Sequence, residues 1–293
     1  MRLLVIGRSG QLARSLALAA PRLPGIRLEV TGRPEIDLAE PGAAARAIAA
    51  RRPDLVINAA AFTAVDRAED EPALAWRINA EAPGEIAAAA CAAGAGLIHL
   101  STDYVFDGRA VAPYDEAAAP APLNAYGRSK LAGEQAVAAA NPRHWIVRTS
   151  WVVSPFGDNF VRTMCRLARE RREIRVVDDQ FGRPTSAAAL AEALLALAAR
   201  FAEAEPGLYH LAGGGEPVSW AGLARFIMDV RRDLLGNAST IVPIATADYP
   251  AKAERPRRAV LDCSKAAATL GLALPDWRAS LSPIVRVCVE EEA

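Results

Sequence analysis

The sequence predicts an α/β fold: a Rossmann-like, doubly wound parallel sheet with a smaller C-terminal substrate lobe. Three observations predict it. Short apolar runs alternate with helix-length segments through the first 150 residues, as parallel strands with right-handed crossovers require. A glycine turn, Gly7-Arg8-Ser9-Gly10, follows the first apolar run directly. After Trp151 the alternation loosens and prolines gather toward the tail.

The first strand covers 3–6, a continuous apolar run that ends at glycine, the pattern of a strand buried on both faces. Helix 11–20 stops at Pro21. Strand 27–31 follows, then helix 41–51 with Pro41 in its first turn. Strand 55–59, helix 82–93, strand 96–101, helix 126–139 and strand 144–149 complete a nucleotide-binding domain over 1–150. Beyond it, 159–172 reads as a helix with a basic end, 174–177 as a strand and 187–201 as a long helix. The segment 208–212 reads as one more strand of the sheet, and 220–235 as a further helix. Segments near 187–235 are expected to return to the first domain. That leaves 151–293 as a mainly substrate-binding, discontinuous lobe over the strand C-termini, where open α/β sheets bind ligands. The tail from Ile241 reads as proline-rich with two loop-like stretches.

A chain of 293 residues buries about three quarters of its unfolded surface, so neither disulfide nor metal is needed as a staple. Its 52% hydrophobic content excludes disorder. With 34 Lys+Arg against 34 Asp+Glu it has no net charge and lacks the basic balance of a nucleic-acid binder. The run Arg255-Pro256-Arg257-Arg258 is short and proline-broken; it reads as a solvated loop, able to face a diphosphate. No apolar stretch of about 18 residues is present, so no membrane span is expected. MRLLVIGRSG does not have the build of a signal peptide. Cys91, Cys165, Cys263 and Cys288 form no C-x-x-C pair, and three histidines offer no zinc-ligand spacing. Reduced thiols in a cytoplasmic protein are the expectation.

The glycine turn runs Gly7-Arg8-Ser9-Gly10-Gln11-Leu12-Ala13. Gly7 allows the tight turn, Gly10 lets a pyrophosphate approach the backbone, and Ala13 lets the helix pack on the sheet. The helix N-terminus supplies free N–H groups and a positive dipole end. The second strand ends at Thr31-Gly32-Arg33. NAD-strict enzymes place an acid there; Arg33 instead either faces a 2′-phosphate or is a solvated surface residue. Asp37 and Leu38 suit an adenine pocket, with helix capping by Asp37 as the alternative.

Tyr126-Gly127-Arg128-Ser129-Lys130 places a phenol and an ammonium at i and i+4, on one helix face. The ammonium is expected to lower the phenol's pKa, so that Tyr126 can protonate a carbonyl oxygen as hydride arrives at the carbon. Lys130 can also hold the nicotinamide ribose. Upstream, a strand ends in Ser101-Thr102-Asp103-Tyr104, where a hydroxyl faces the ligand crevice. Thr102 would complete a Thr/Tyr/Lys set. The alternatives are an exposed helix pair and β-propensity. The small residues after Asn58 leave room for a cofactor, or serve close packing.

These blocks together resemble the dTDP-4-dehydrorhamnose reductase family of extended short-chain dehydrogenases/reductases. The matching stretches are GRSGQLA at 7–13, NAAAFTAVDRAE at 58–69, STDYVFDG at 101–108 and PLNAYGRSKLAGE at 122–134. They continue with RTSWVV at 148–153, DDQFGRPT at 178–185, YPAKAERPRRAVLD at 249–262 and LPDW at 274–277. The resemblance implies hydride transfer from NADPH, with NADH also accepted, to C4 of a dTDP-4-keto-6-deoxy-L-sugar. It assigns catalysis to Thr102, Tyr126 and Lys130. It assigns the cofactor to Gly10, Gln11, Leu12, Asp37, Leu38, Ala61, Phe62 and Thr63, besides Gly7, Arg33 and the Tyr/Lys pair. Val65, Thr102, Asp103, Tyr104 and Trp151 would line the sugar-nucleotide site, although Trp151 would equally suit the core. Asn159 and the 180–185 loop are weaker nucleotide-side candidates.

Phe62 stands where many family members carry histidine. Some members are dimers that share magnesium through glutamates, and those positions are Ser15 and Ala188 here. No metal is therefore expected, and the chain is expected to be a monomer or a dimer formed through other surfaces. A different nucleotide-sugar reductase or epimerase, and a non-catalytic cofactor-binding subunit, are the competing readings; the complete Thr102/Tyr126/Lys130 set speaks against the second.

Overall fold

The computed structural model describes residues 1–291. Strands β1 (Arg2–Ile6), β2 (Arg27–Thr31), β3 (Leu55–Asn58), β4 (Gly96–Thr102) and β5 (His144–Thr149) enter one six-stranded sheet. Three strands of the second lobe come next: β6 (Val152–Val153), β7 (Glu173–Val177) and β8 (Phe181–Gly182). They are followed by β9 (Thr185–Ser186), the sixth sheet strand β10 (Gly207–His210), β11 (Val218–Ser219) and β12 (Thr240–Ile244). The sheet order is β10-β5-β4-β3-β1-β2, with every pairing parallel. Strand order reverses between β1 and β3, and open sheets bind ligands at that point.

The helices are α1 (Gln11–Ala19), α2 (Ala43–Arg51), α3 (Val65–Asp70), α4 (Pro72–Trp76), α5 (Ala82–Ala92) and α6 (Ala125–Ala140). The remainder are α7 (Phe160–Glu170), α8 (Ala187–Ala199), α9 (Trp220–Leu235), α10 (Ser264–Leu270) and α11 (Trp277–Glu290). Side chains alternate across the strands. Leu3, Val5 and Ile57 point to one face, under α1 and α8 through Leu16, Leu190 and Leu194. Leu4, Ile6 and Val56 point to the other, under α2, α5 and α6 through Ile48, Ile86 and Val137. Each such buried side chain contributes about 1.5–3 kcal/mol of transfer free energy.

A separate core joins Val161 and Met164 of α7, Ile174 and Val176 of β7, Leu223 and Ile227 of α9, and Leu281 and Val285 of α11. The return stretch expected at 187–235 therefore divides. α8 and β10 pack with the Rossmann core, and so does α10 through Ala266 and Leu270. α9 packs in the second lobe, because its apolar stripe faces α7 and α11. The proline-rich tail, expected to carry two loop-like stretches, also contains β12, α10 and α11. The helical spacing of Trp277, Leu281, Ile284, Val285 and Cys288 was present in the sequence, but Pro283 inside α11 disguised it. Helix α2 begins after Pro41, not with it, since Gly42 at φ 74° interrupts the helical backbone. α3 and α4 were not anticipated. No helix among the described residues is long and apolar enough to cross a membrane.

Candidate active site

Gly7 leaves β1 at φ 126°, and its N–H donates to the Thr31 carbonyl at 2.7 Å. A Cβ there would lie 3.0 Å from the Ala59–Ala60 backbone. The positive φ and the crowding together require glycine. Gly10 precedes α1, and a Cβ there would meet nothing within 4 Å. No side chain caps α1, so its first N–H groups face that open space. A pyrophosphate fits this cradle. Leu12 turns its side chain into the Rossmann core. Gln11 bridges the lobes: Nε2 donates to the Val152 carbonyl at 3.1 Å, and Oε1 accepts from Ser154 at 2.9 Å and Asn159 at 3.0 Å. Asn159 also caps α7 through its side chain.

At the end of β2, Arg33 is exposed. The sequence reading found no acid there, but the fold supplies one. Glu35 accepts from Arg8 of the glycine turn at 2.5 Å and from Thr31 Oγ1 at 3.3 Å. The Arg8 hydrogen bond holds the Glu35 carboxyl below its ordinary value. Asp37 caps no helix; its Oδ1 accepts from Ala39 N at 2.9 Å in a local turn. Leu38 is buried beside Ile36 and Ile48.

After β3, the Ala61–Thr63 loop is held by Asn79. The Asn79 amide accepts from Phe62 N at 2.8 Å and donates to the Phe62 carbonyl at 3.0 Å and to Ser129 Oγ at 3.1 Å. Phe62 packs with Tyr126, while Thr63 is exposed and Val65, opening α3, is half-buried.

Thr102 ends β4 and Tyr126 opens α6. Asn124 caps α6, accepting from Gly127 N at 2.8 Å. Gly127 is required because a Cβ there would lie 2.2 Å from the Tyr104 carbonyl oxygen. This contact brings 102–104 against α6. Tyr104 and Tyr126 meet edge-on, with centroids 5.6 Å apart. Thr102 Oγ1 donates to Asp103 Oδ1 at 3.0 Å and accepts from Tyr104 N at 3.2 Å. Lys130 is 2% exposed, and its Nζ donates to the Leu100 carbonyl at 2.6 Å.

The electrostatics reverse one expectation. Burial pushes the Tyr126 phenol up to about 12, against a downward pull from Thr102. The expected lowering by Lys130 does not occur. The ammonium is turned to Leu100 and His99, and desolvation dominates. Burial also lowers Lys130 to about 8, with Glu134 opposing. The Asp103 carboxyl rises to about 7, chiefly from burial.

Residues missed by the sequence reading brace this cluster. Asn58 Oδ1 accepts from Ala60 N at 3.3 Å, which turns its Nδ2 toward His99 Nδ1 at 3.1 Å. The other His99 nitrogen lies 3.4 Å from Lys130 Nζ. Glu134 accepts from Ser101 and, twice, from Arg148, at 2.8 and 2.6 Å. The signal for these residues was polarity inside otherwise apolar strands and on a helix face directed at them.

The second lobe borders a cleft of about 1450 Å³, lined by Arg109, Arg171, Arg175, Arg257, Phe160 and Trp220, among others. Trp151, at φ 46°, stacks on Trp220 with centroids 3.4 Å apart and lies against Gly182. Packing occupies one face of the Trp151 ring, and Trp220 lines the cleft. Gln180 also lines it, bonded to Thr246 at 3.0 Å. Arg255 is not a solvated loop residue: it pairs with Asp66 at 2.7 Å and interacts with Tyr104. Among the described residues, no three metal-ligating side chains cluster. Ser15 Oγ donates within α1 to the Gln11 carbonyl. Of the acidic run Glu290-Glu291-Glu292, an alternative source of carboxylates for a metal, Glu292 lies outside the described residues.

A sequence model of the family described as the RmlD substrate binding domain matches residues 1–289. The dTDP-4-dehydrorhamnose reductase of Sinorhizobium fredii is 44% identical over 289 residues, covering 97% of each chain. A crystal structure of a dTDP-4-dehydrorhamnose reductase from Clostridium acetobutylicum superimposes with a TM-score of 0.91 at 35% identity, over 98% of this chain and 99% of that one. The Bacillus anthracis dTDP-4-dehydrorhamnose reductase in complex with NADP superimposes at 0.88 with 34% identity, over 97% and 98%.

Proposed function

From the premise that this chain belongs to the RmlD substrate-binding family, that of the dTDP-4-dehydrorhamnose reductases, we infer that it is an NADPH-dependent oxidoreductase. Its reaction is reduction of the C4 keto group of dTDP-4-dehydro-L-rhamnose to dTDP-L-rhamnose. The observation that carries the chemistry is the buried Thr102/Tyr126/Lys130 set where β4 ends and α6 begins.

The cradle between Gly7 and α1 fits a dinucleotide's pyrophosphate, and Arg33, Arg8 and Glu35 lie where its adenosine ribose would be read. Bound there, the reduced nicotinamide supplies the hydride. Tyr126 gives its proton to the C4 oxygen. A phenol held up at about 12 stays fully protonated near neutrality, and an alkoxide is basic enough to take that proton. Thr102 donates a hydrogen bond to the same oxygen. Lys130 holds the ribose and offsets the developing charge. Asp103, Tyr104 and Val65 border the sugar, while the arginines of the second-lobe cleft suit a nucleoside diphosphate. We assign NADH as a second acceptable cofactor, a cytoplasmic location, and a monomer or a dimer not bridged by metal.

The test is NADPH oxidation with dTDP-4-keto-L-rhamnose, followed by identification of the sugar product. Formation of dTDP-L-rhamnose is expected. Turnover confined to another nucleotide sugar would replace the substrate assignment, and no turnover with any 4-keto sugar would overturn the enzyme reading.

A further inference from the structure

Resting on the reading of Thr102 and Tyr126 as the catalytic pair, we propose that Asp103 acts as a protonated carboxyl that turns the Thr102 hydroxyl toward the reacting oxygen. The threonine then donates to substrate only while Asp103 holds its proton.

The argument is a count of donors. A threonine hydroxyl has one hydrogen and two lone pairs. Tyr104 N fills one lone pair of Thr102 Oγ1, at 3.2 Å. Two other polar groups face it: Asp103 Oδ1, at 3.0 Å, and the Tyr126 hydroxyl, whose proton goes to the reacting oxygen once substrate is bound, so that Asp103 alone decides where the threonine hydrogen points. An ionised carboxylate only accepts, so it takes the single hydrogen and leaves Thr102 nothing to give to substrate. A protonated carboxyl donates across the same 3.0 Å, fills the second lone pair and frees that hydrogen.

The surroundings favour the proton. Asp103 is 2% exposed. Arg148 and Arg255 are committed to Glu134 and Asp66. Lys130 spends its shortest bond on Leu100. Tyr104 and Tyr126 also face the carboxyl, and an ionised Asp103 raises both phenols. Only the Thr102 hydroxyl and the N–H groups of 103 and 104 favour the ionised form, and burial outweighs them.

The experiment measures kcat from pH 5.5 to 9.5 for wild type, Asp103→Asn, Thr102→Val and Tyr126→Phe, with unfolding midpoints at each pH. Wild-type kcat is expected to fall as pH rises through the Asp103 pKa of about 7. In Asp103→Asn the amide always offers an N–H, so the fall centred near pH 7 disappears, only the later limb from Lys130 at about 8 remains, and kcat between pH 7 and 8 exceeds the wild type's. The sign for stability agrees. A carboxyl raised in the folded state contributes stability that is lost as pH climbs from its unfolded value, about 3.9, through the folded one. Wild type should therefore lose midpoint between pH 5 and 8, and Asp103→Asn should lose less. Thr102→Val, with no hydroxyl to orient, should show low kcat without the fall centred near pH 7.

A fall near pH 7 left unmoved in either variant overturns the proposal. So does a uniform loss of about 100-fold in Asp103→Asn, which a carboxylate required as acceptor would give. A pH-dependent loss of midpoint equal in Asp103→Asn and wild type overturns it too. Tyr126→Phe separates the two ideas: if it keeps more than about a third of wild-type kcat, the underlying catalytic reading fails whatever Asp103 does.

Discussion

The two ends of the proposed cofactor crevice use the same kinds of side chain under opposite conditions. At the proposed catalytic end, Arg148 and Glu134 pair with side chains 2% and 6% exposed, and Ser101, Thr102, Asp103 and Lys130 are buried as well. At the adenosine end, Arg8 and Glu35 pair with side chains 46% and 50% exposed, beside an exposed Arg33. Burial decides protonation at the first end. Tyr126 and Asp103 rise and Lys130 falls, because each charged form has lost its water. Direct partners decide it at the second, where Arg8 lowers Glu35 and salt screens the rest. On the proposed reading, chemistry that must hold one proton at one atom sits in the buried end. On the same reading, recognition that must exchange ligands sits in the exposed one.

The sharpest way to break this contrast is Tyr126→Phe. Losing a buried general acid should depress kcat by roughly 10²–10⁴-fold. Cofactor affinity, read by fluorescence titration, should barely change, because the proton is needed only in the transition state. Weak effects on both would place Tyr126 outside the chemistry.

Next comes the ion pair. Glu134→Gln or Arg148→Met leaves an uncompensated buried charge and should cost about 3–5 kcal/mol in denaturant unfolding. Arg8→Ala at the exposed end should leave the unfolding curve where it was. Equal losses at both ends would erase the distinction drawn between them.

A smaller effect is expected on cofactor choice. Arg33→Ala should weaken NADPH selectively, by about 1.5–3 kcal/mol if it makes a charge-assisted contact to the 2′-phosphate. Glu35→Gln should weaken NADH and favour NADPH, since it replaces a ribose hydroxyl's charged acceptor with a weaker neutral one and removes the charge that would repel a 2′-phosphate. Binding titrations with both cofactors check this, and parallel losses for the two would show that neither side chain reads the phosphate.

The smallest effect is expected from chelation. Magnesium needs carboxylate oxygens, and Ser15 and Ala188 offer none. Activity and sedimentation mass should both survive EDTA. Loss restored by Mg²⁺ would require other acids.

Most strands of the Rossmann domain were legible because each ends at a signal that local chemistry enforces. Leu3–Ile6 runs into Gly7, and 55–58 into small residues. The Tyr126/Lys130 spacing and the hydroxyl at 102 were readable for the same reason: helix period and strand edge follow from the chain itself. What sequence could not supply was distance between segments far apart in the chain. Glu35 beside Arg8, Asn58 and His99 beside Lys130, and Trp220 beneath Trp151 each depend on how separate elements pack. Protonation followed packing too. The i,i+4 spacing correctly placed Lys130 one turn from Tyr126, but the direction of the phenol's shift depended on burial, a property of every element around it. Period and turn chemistry are local, so the sequence determined them alone. Desolvation and pairing are collective, so only the tertiary structure decided them.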